Sequence, residues 1–254
     1  MEQQSQIQKP KKKLSKRLII VTILIIIAVL GWAGLTRAGF IQNYLGIPFL
    51  NFNNNDNNDI FSPEANCPPG MFCKPLIYLY PIQKQEINIK IDFKGELTNS
   101  YPRYNNGWKV TAYPDGKIVN STYSKVYSYL FLEGKPKNLT DWNISNGFIV
   151  KGKDTKNFLQ NILIAKGLNV NESNDFIEYW YPQMKNNKYN LIHFADEQYI
   201  ETATLSIVPK PDSILRVFMV FKPLDEKIII MPQEIKPFKR NGYTVVEWGG
   251  TEIN

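Results

Sequence analysis

The sequence predicts an α+β protein: an N-terminal transmembrane helix followed by a β-rich, mainly antiparallel extracytoplasmic domain with two helices inserted near its middle. Three observations carry this reading. An uncharged apolar run occupies residues 18–35, several later segments alternate apolar and polar residues with a period of two, and two segments between these show helical spacing with helical start and stop residues.

The 254 residues are 43% hydrophobic, 13% aromatic and 21% charged, a composition able to bury a core and unlike that of a disordered chain. A net charge of +7 would suggest a nucleic-acid binder if it were spread over the folded part. It is not. Residues 1–37 hold Lys9, Lys11, Lys12, Lys13, Lys16, Arg17 and Arg37 against Glu2, a net +6 of that +7, which leaves +1 for everything after them. With no basic stripe outside the tail, nucleic acid is not expected as a partner.

Residues 1–17 are expected to form a basic cytoplasmic tail and residues 18–36 the transmembrane helix. The run LIIVTILIIIAVLGWAGL carries no charge, and at 1.5 Å per residue it spans roughly 27 Å, close to the hydrocarbon thickness of a bilayer. A cleaved signal peptide is the competing reading, but its apolar stretch is shorter, about 7 to 15 residues, and Thr36-Arg37-Ala38 is a poor cleavage site. Six cations before Leu18 and one after the run place the N-terminus in the cytoplasm, the rest of the chain outside, and Trp32 near the outer interface. The bilayer is thus the first expected partner.

Residues 37–66 read as an asparagine-rich linker, because the tract NFNNNDNND is too polar to fold by itself. A calcium loop counted from Asn53 fails on its geometry: Asn58 stands where glycine is needed and Pro63 adjoins the last ligand, Glu64.

The outer domain, residues 67–254, opens with the only two cysteines, Cys67 and Cys73, in CPPGMFC. The Pro68-Pro69-Gly70 turn folds the chain back, so a disulfide between them is expected in an oxidising compartment. Two cysteines with no histidine nearby do not make a metal site, and none is expected. Strand-like runs follow at residues 76–80, 87–93, 108–113, 126–132, 214–221 and 243–248, with Tyr113-Pro114-Asp115-Gly116 joining one of them to Lys117-Ile118-Val119 as a hairpin. A first helix runs from Asp154 to a stop at Gly167, and a second starts near Asn171 or Ser173 and is disturbed at Pro182.

Several residues have the chemistry of a site. GFIVKGK at residues 147–153 has the spacing of a phosphate loop, but Phe148, Ile149 and Val150 read as a strand and Asp154 replaces the magnesium-binding hydroxyl. His193, the single histidine, has Asp196, Glu197 and Glu201 nearby to orient it as a catalytic base; the structural alternative is a strand histidine bonded to its neighbours. Glu247, beside Trp248, is a candidate general acid if desolvation raises its pKa, whereas regular strand alternation would point it at water and Trp248 inward. Most of the many aromatics are core candidates; Trp108, Tyr113 and Trp142 are candidates for a recognition surface that stacks on sugars or anchors a protein partner.

The strings CKPLIYLYP at 73–81, GWKVTAYPDG at 107–116, NKYNLIHFA at 187–195, PDSILRVFMVFKPLD at 211–225 and TVVEWGGTE at 244–252 together resemble a family of uncharacterised bacterial proteins. The resemblance implies one domain from Cys73 to Asn254. It brings no activity, cofactor or active-site residue. The expected function is therefore a membrane-anchored, cell-surface binding or interaction module whose ligand is a cell-envelope glycan or protein. The alternative is a carboxylate-based cell-envelope hydrolase acting on glycan or peptide, with Glu247 foremost. Whether the chain is an enzyme is open at this stage, and no cofactor is expected.

Overall fold

The computed structural model describes residues 67–120, 125–138 and 141–254, all within one compact unit. The expected tail, membrane span and linker lie outside these residues. Among the described residues no helix is long and apolar enough to cross a membrane.

The first half is strands: β1 (Cys73–Tyr80), β2 (Gln85–Phe93), β3 (Gly95–Tyr101), β4 (Trp108–Ala112), β5 (Ile118–Asn120), β6 (Val126–Tyr127), β7 (Leu130–Pro136) and β8 (Phe148–Lys151). Helices α1 (Thr155–Lys166) and α2 (Val170–Met184) follow, then β9 (Tyr189–Phe194), α3 (Asp196–Thr202), β10 (Ala203–Val208), β11 (Ser213–Leu224) and β12 (Thr244–Glu252). They make a seven-stranded sheet, in the order β3-β7-β1-β12-β11-β9-β8, and a five-stranded one, β10-β2-β4-β5-β6. Every pairing is antiparallel except β11 with β12.

Strand alternation sorts the core into layers. From the larger sheet Leu76, Tyr78, Val217, Met219, Val246 and Trp248 pack against Leu159 and Leu163 of α1 and Phe176 and Trp180 of α2. The opposite parity, Ile77, Leu79 and Val245, packs against Ile87, Ile89, Val110 and Ile118 of the smaller sheet. The seven-stranded sheet is therefore sandwiched, with α1 and α2 on one face and the second sheet together with α3 on the other. A third cluster joins Phe72 and Trp142 to Tyr199 of α3 and to Phe218 and Val220.

Local signals account for the helix ends. Gly167 takes φ 105° after α1, where Gly167 N and Leu168 N donate to the Ile164 and Leu163 carbonyls. One expectation needs correction. Among the described residues there are three α-helices rather than two, α3 being a seven-residue helix with a single fully buried residue, Tyr199. The second helix starts at Val170, next to the expected Asn171, where Asn169 and Glu172 form a capping box: Glu172 N donates to Asn169 Oδ1 at 2.9 Å and Asn169 N to Glu172 Oε2 at 2.8 Å. It also runs through Pro182 to Met184, since a proline in the last turn removes only one intrahelical donor. The hairpin at residues 113–116 is present, closed by Tyr113 N and Gly116 N bonding the Lys117 and Tyr113 carbonyls.

Candidate functional site

The chain enters the larger sheet through the Cys67–Cys73 disulfide, whose Cα atoms are 5.8 Å apart across the Pro68-Pro69-Gly70 turn. Between Cys73 and Leu76 the register of β1 against β12 slips by one residue, a bulge. Lys74 sits in it with φ 56°, a left-handed backbone uncommon for any residue but glycine. Pro75 lies against Gly249, where an added Cβ would come within 3.0 Å of the proline ring. Crosslink, bulge and glycine together aim the Lys74 side chain onto the helical face of the sheet. Its Nζ stands 5.3 Å from the Phe131 ring centroid and 5.4 Å from that of Tyr179.

There Lys74 meets α2. A recess of about 280 Å³ is lined by Lys74, Leu76, Tyr129, Asp175, Glu178 and Tyr179. Beneath this lining Tyr78 OH donates to Asp175 Oδ2 at 2.8 Å, and the buried Trp248 Nε1 donates to Tyr78 OH at 3.3 Å, so an ordered chain of donors ends on the carboxylate. Tyr129 meets Tyr78 edge-on at 5.8 Å. Burial pushes the Asp175 carboxyl above its usual range, against the opposing effect of the Tyr78 hydrogen bond. Burial also pulls the Lys74 ammonium below its ordinary value, against Glu133, Asp175 and Glu178. Burial thus acts against the charged form of both groups.

A second, more polar recess of about 460 Å³ lies toward the opposite edge of the sheet, its lining including His193, Lys166, Asp196, Gln233 and Lys236. The His193 Nδ1 is 2.9 Å from the Asn146 carbonyl, which only accepts, so Nδ1 carries the proton and Nε2 is the acceptor of the neutral ring. The orienting group is thus this carbonyl and not one of the nearby carboxylates. Asp196 is otherwise engaged, bonding Lys166 Nζ at 2.6 Å and accepting from Phe218 N at 2.9 Å. Burial lowers the His193 pKa, opposed by Asn146 and Asp196.

Glu247 faces neither recess. It is 1% exposed, ion-paired with Arg216, and accepts from Tyr199 OH at 2.8 Å. Strand alternation does set it opposite Trp248, but that opposite face is covered by α3 instead of water. Glu247 and His193 point to the same side of the sheet but are not brought together: their neighbours on β11, Arg216 and Val220, are four positions apart, about 13 Å along a strand. Of the aromatic candidates, Trp108 is 2% exposed with its Nε1 bonded to the Pro102 carbonyl, and Trp142 is packed on Phe72 and Phe218. Tyr113 alone is half-buried at the surface, with Lys117 Nζ 4.2 Å from its ring centroid. The phosphate-loop look-alike is β8 followed by a tight turn, where a Cβ on Gly152 would fall 2.2 Å from the Asn187 carbonyl, leaving no cradle.

No family model, curated protein or solved structure matches this chain. The site is therefore read from its geometry. Lys74, Asp175 and Glu178 were not singled out from sequence, because β1 and α2 lie about a hundred residues apart in the chain and only the fold brings them together. The one local signal was the aromatic density around them, at Tyr78, Tyr129 and Tyr179.

Proposed function

We propose that this is a single-pass protein of the cell membrane, N-terminus in the cytoplasm, whose outer domain binds a cell-envelope ligand in the Lys74–Asp175 recess. The observation that carries the reading is the pairing of half-buried tyrosine rings with an oriented carboxylate: Tyr129 and Tyr179 line the recess, and Asp175, held by Tyr78, offers acceptors. Aromatic faces with convergent polar groups suit a polyhydroxylated ring. At about 280 Å³ the recess lies at the small end of ligand pockets, so it suits one terminal sugar unit and not a stretch of polymer. The membrane placement rests on residues 18–36 and the lysine bias before them.

The test is retention of the detergent-solubilised full chain on insoluble cell-wall glycan. Tyr129→Ala and Asp175→Asn are expected to lose retention with melting temperature unchanged; full retention by both would overturn the reading. For placement, protease added to intact cells is expected to cut within residues 50–62 and release the outer domain, while recovery of a soluble chain beginning near Ala38 would establish a cleaved signal instead.

A second reading, an envelope hydrolase, is favoured by one observation. Asp175, its carboxyl held above the usual range, stands three residues before Glu178 on α2, which puts both carboxylates on one helix face at the recess. Release of soluble sugar or peptide from cell wall, abolished by Glu178→Gln while retention persists, would establish it.

A further inference from the structure

We propose that Lys74 is a carbonyl-reactive amine that condenses reversibly with an aldehyde or ketone ligand in the recess, the open-chain reducing end of a sugar being the class that fits. The inference rests on the reading of this recess as the ligand site. Three independent features converge on it. The backbone at Lys74 is held left-handed inside a bulge, and such strain persists only where the surroundings enforce it; the Cys67–Cys73 crosslink on one side and Pro75 against Gly249 on the other do so. The side chain lines a cavity and is withdrawn from water there, which disfavours its charged form and so favours a nucleophilic amine, against the Phe131 and Tyr179 ring faces that favour the cation. Asp175 lines the same cavity and is positioned by Tyr78 to carry a proton between amine and ligand. The anionic groups acting on Lys74 are Glu133, Asp175 and Glu178.

The chemistry balances without an oxidant. The neutral Nζ lone pair attacks the carbonyl carbon, forming the N–C bond, while the carbonyl π pair moves onto oxygen and takes a proton from the Asp175 acid. The nitrogen returns a proton to Asp175, giving a neutral carbinolamine. The C–O bond then breaks as Asp175 protonates the leaving oxygen, the nitrogen lone pair forms C=N, and the last N–H proton returns to Asp175. The sum is amine plus carbonyl giving imine plus water.

The test treats the full chain in detergent micelles with glycolaldehyde and cyanoborohydride, which reduces the imine to a stable secondary amine, and follows each lysine by peptide mass mapping. Lys74 is expected to be labelled faster than the exposed Lys90 and Lys109, and Asp175→Asn to slow labelling at Lys74 while leaving the other two unchanged. Labelling of Lys74 no faster than Lys90 and Lys109 would overturn the inference, and would leave the binding reading standing if Tyr129→Ala still abolishes retention on cell-wall glycan. Selective labelling of Lys74 with retention indifferent to Tyr129→Ala would keep the reactive amine and remove the glycan reading.

Discussion

Arg216 and Glu247 lie in register across the one parallel pair of strands, and their side chains form an ion pair with both partners more than nine-tenths buried. Tyr199 closes the group, donating to Glu247 while its ring lies 4.6 Å from the guanidinium carbon. The cost of desolvating such a pair offsets most of its Coulomb gain, so it contributes little net stability, but removing one partner strands a charge. Glu247→Leu is therefore expected to destabilise by about 3–5 kcal/mol, and Arg216→Met added to it to recover most of the loss. Thermal melts of the two single variants and the double variant check this. Additive losses would mean that the pair is not the reason either residue matters.

His193 is expected to set the pH response of stability near neutrality. Burial holds its folded pKa below that of the unfolded chain, about 6.5, so the unfolded state binds more protons as the pH falls. The stability is fully present above that unfolded value and declines as pH drops through it. His193→Gln, which keeps a polar side chain near the Asn146 carbonyl, is expected to flatten the slope of melting temperature between pH 7.5 and 5.5, windows set about the ordinary histidine value. A slope that survives the substitution would assign the response to another group, the raised carboxyl of Asp175 or Glu252 first.

Much of this fold is local and could be read from sequence, but the candidate site is not local. The Gly167 stop of α1, the Asp115-Gly116 turn and the alternation in residues 87–93 each depend on neighbours within a few positions. The Asn169–Glu172 capping box is equally local, and it sets the start of α2 one residue before Asn171. By contrast β3 reads GELTNSY and β10 ATLSIV, short segments whose strand character comes from pairing with β7 and β2. Glu247 is the instructive case. Its alternation was legible, yet what covers that face is α3, and the burial of a charge there depends on Arg216 arriving from another strand. Lys74 and Asp175 needed both the bulge and the packing of α2.

The Cys67–Cys73 crosslink is expected to act mainly on the unfolded chain and on Lys74. Closing a ring of separation 6 contributes about 2.4 kcal/mol in the chain-entropy model. Cys67→Ser with Cys73→Ser should lower stability by about that amount and, because the crosslink precedes the left-handed Lys74 directly, weaken retention on cell-wall glycan more than a remote variant of equal stability cost, such as one in β10. Equal losses of retention in the two would show that the crosslink is only a staple.

Truncation after Asn241 is expected to abolish folding. It removes β12, which sits inside the larger sheet with β1 on one side and β11 on the other, so two ladders of backbone hydrogen bonds lose their partners at once. Val245, Val246 and Trp248 are each 0% exposed, and returning them to water costs on the order of 5 kcal/mol at about 25 cal/mol per Å². That is comparable with the whole stability of an ordinary domain, about 5–15 kcal/mol. The deletion also leaves Arg216 buried without its carboxylate and takes away Gly250, the only residue type that fits where a Cβ would lie 2.6 Å from the Met219 carbonyl and 2.8 Å from the Trp180 ring. Removing only Ile253 and Asn254, which follow the strand, should by comparison preserve a cooperative melt. The measurement is near-ultraviolet circular dichroism through a thermal ramp, which reports the fixed tryptophans. A chain ending at Asn241 that retains the signal and melts at a similar temperature would show that the sheet closes without its central strand.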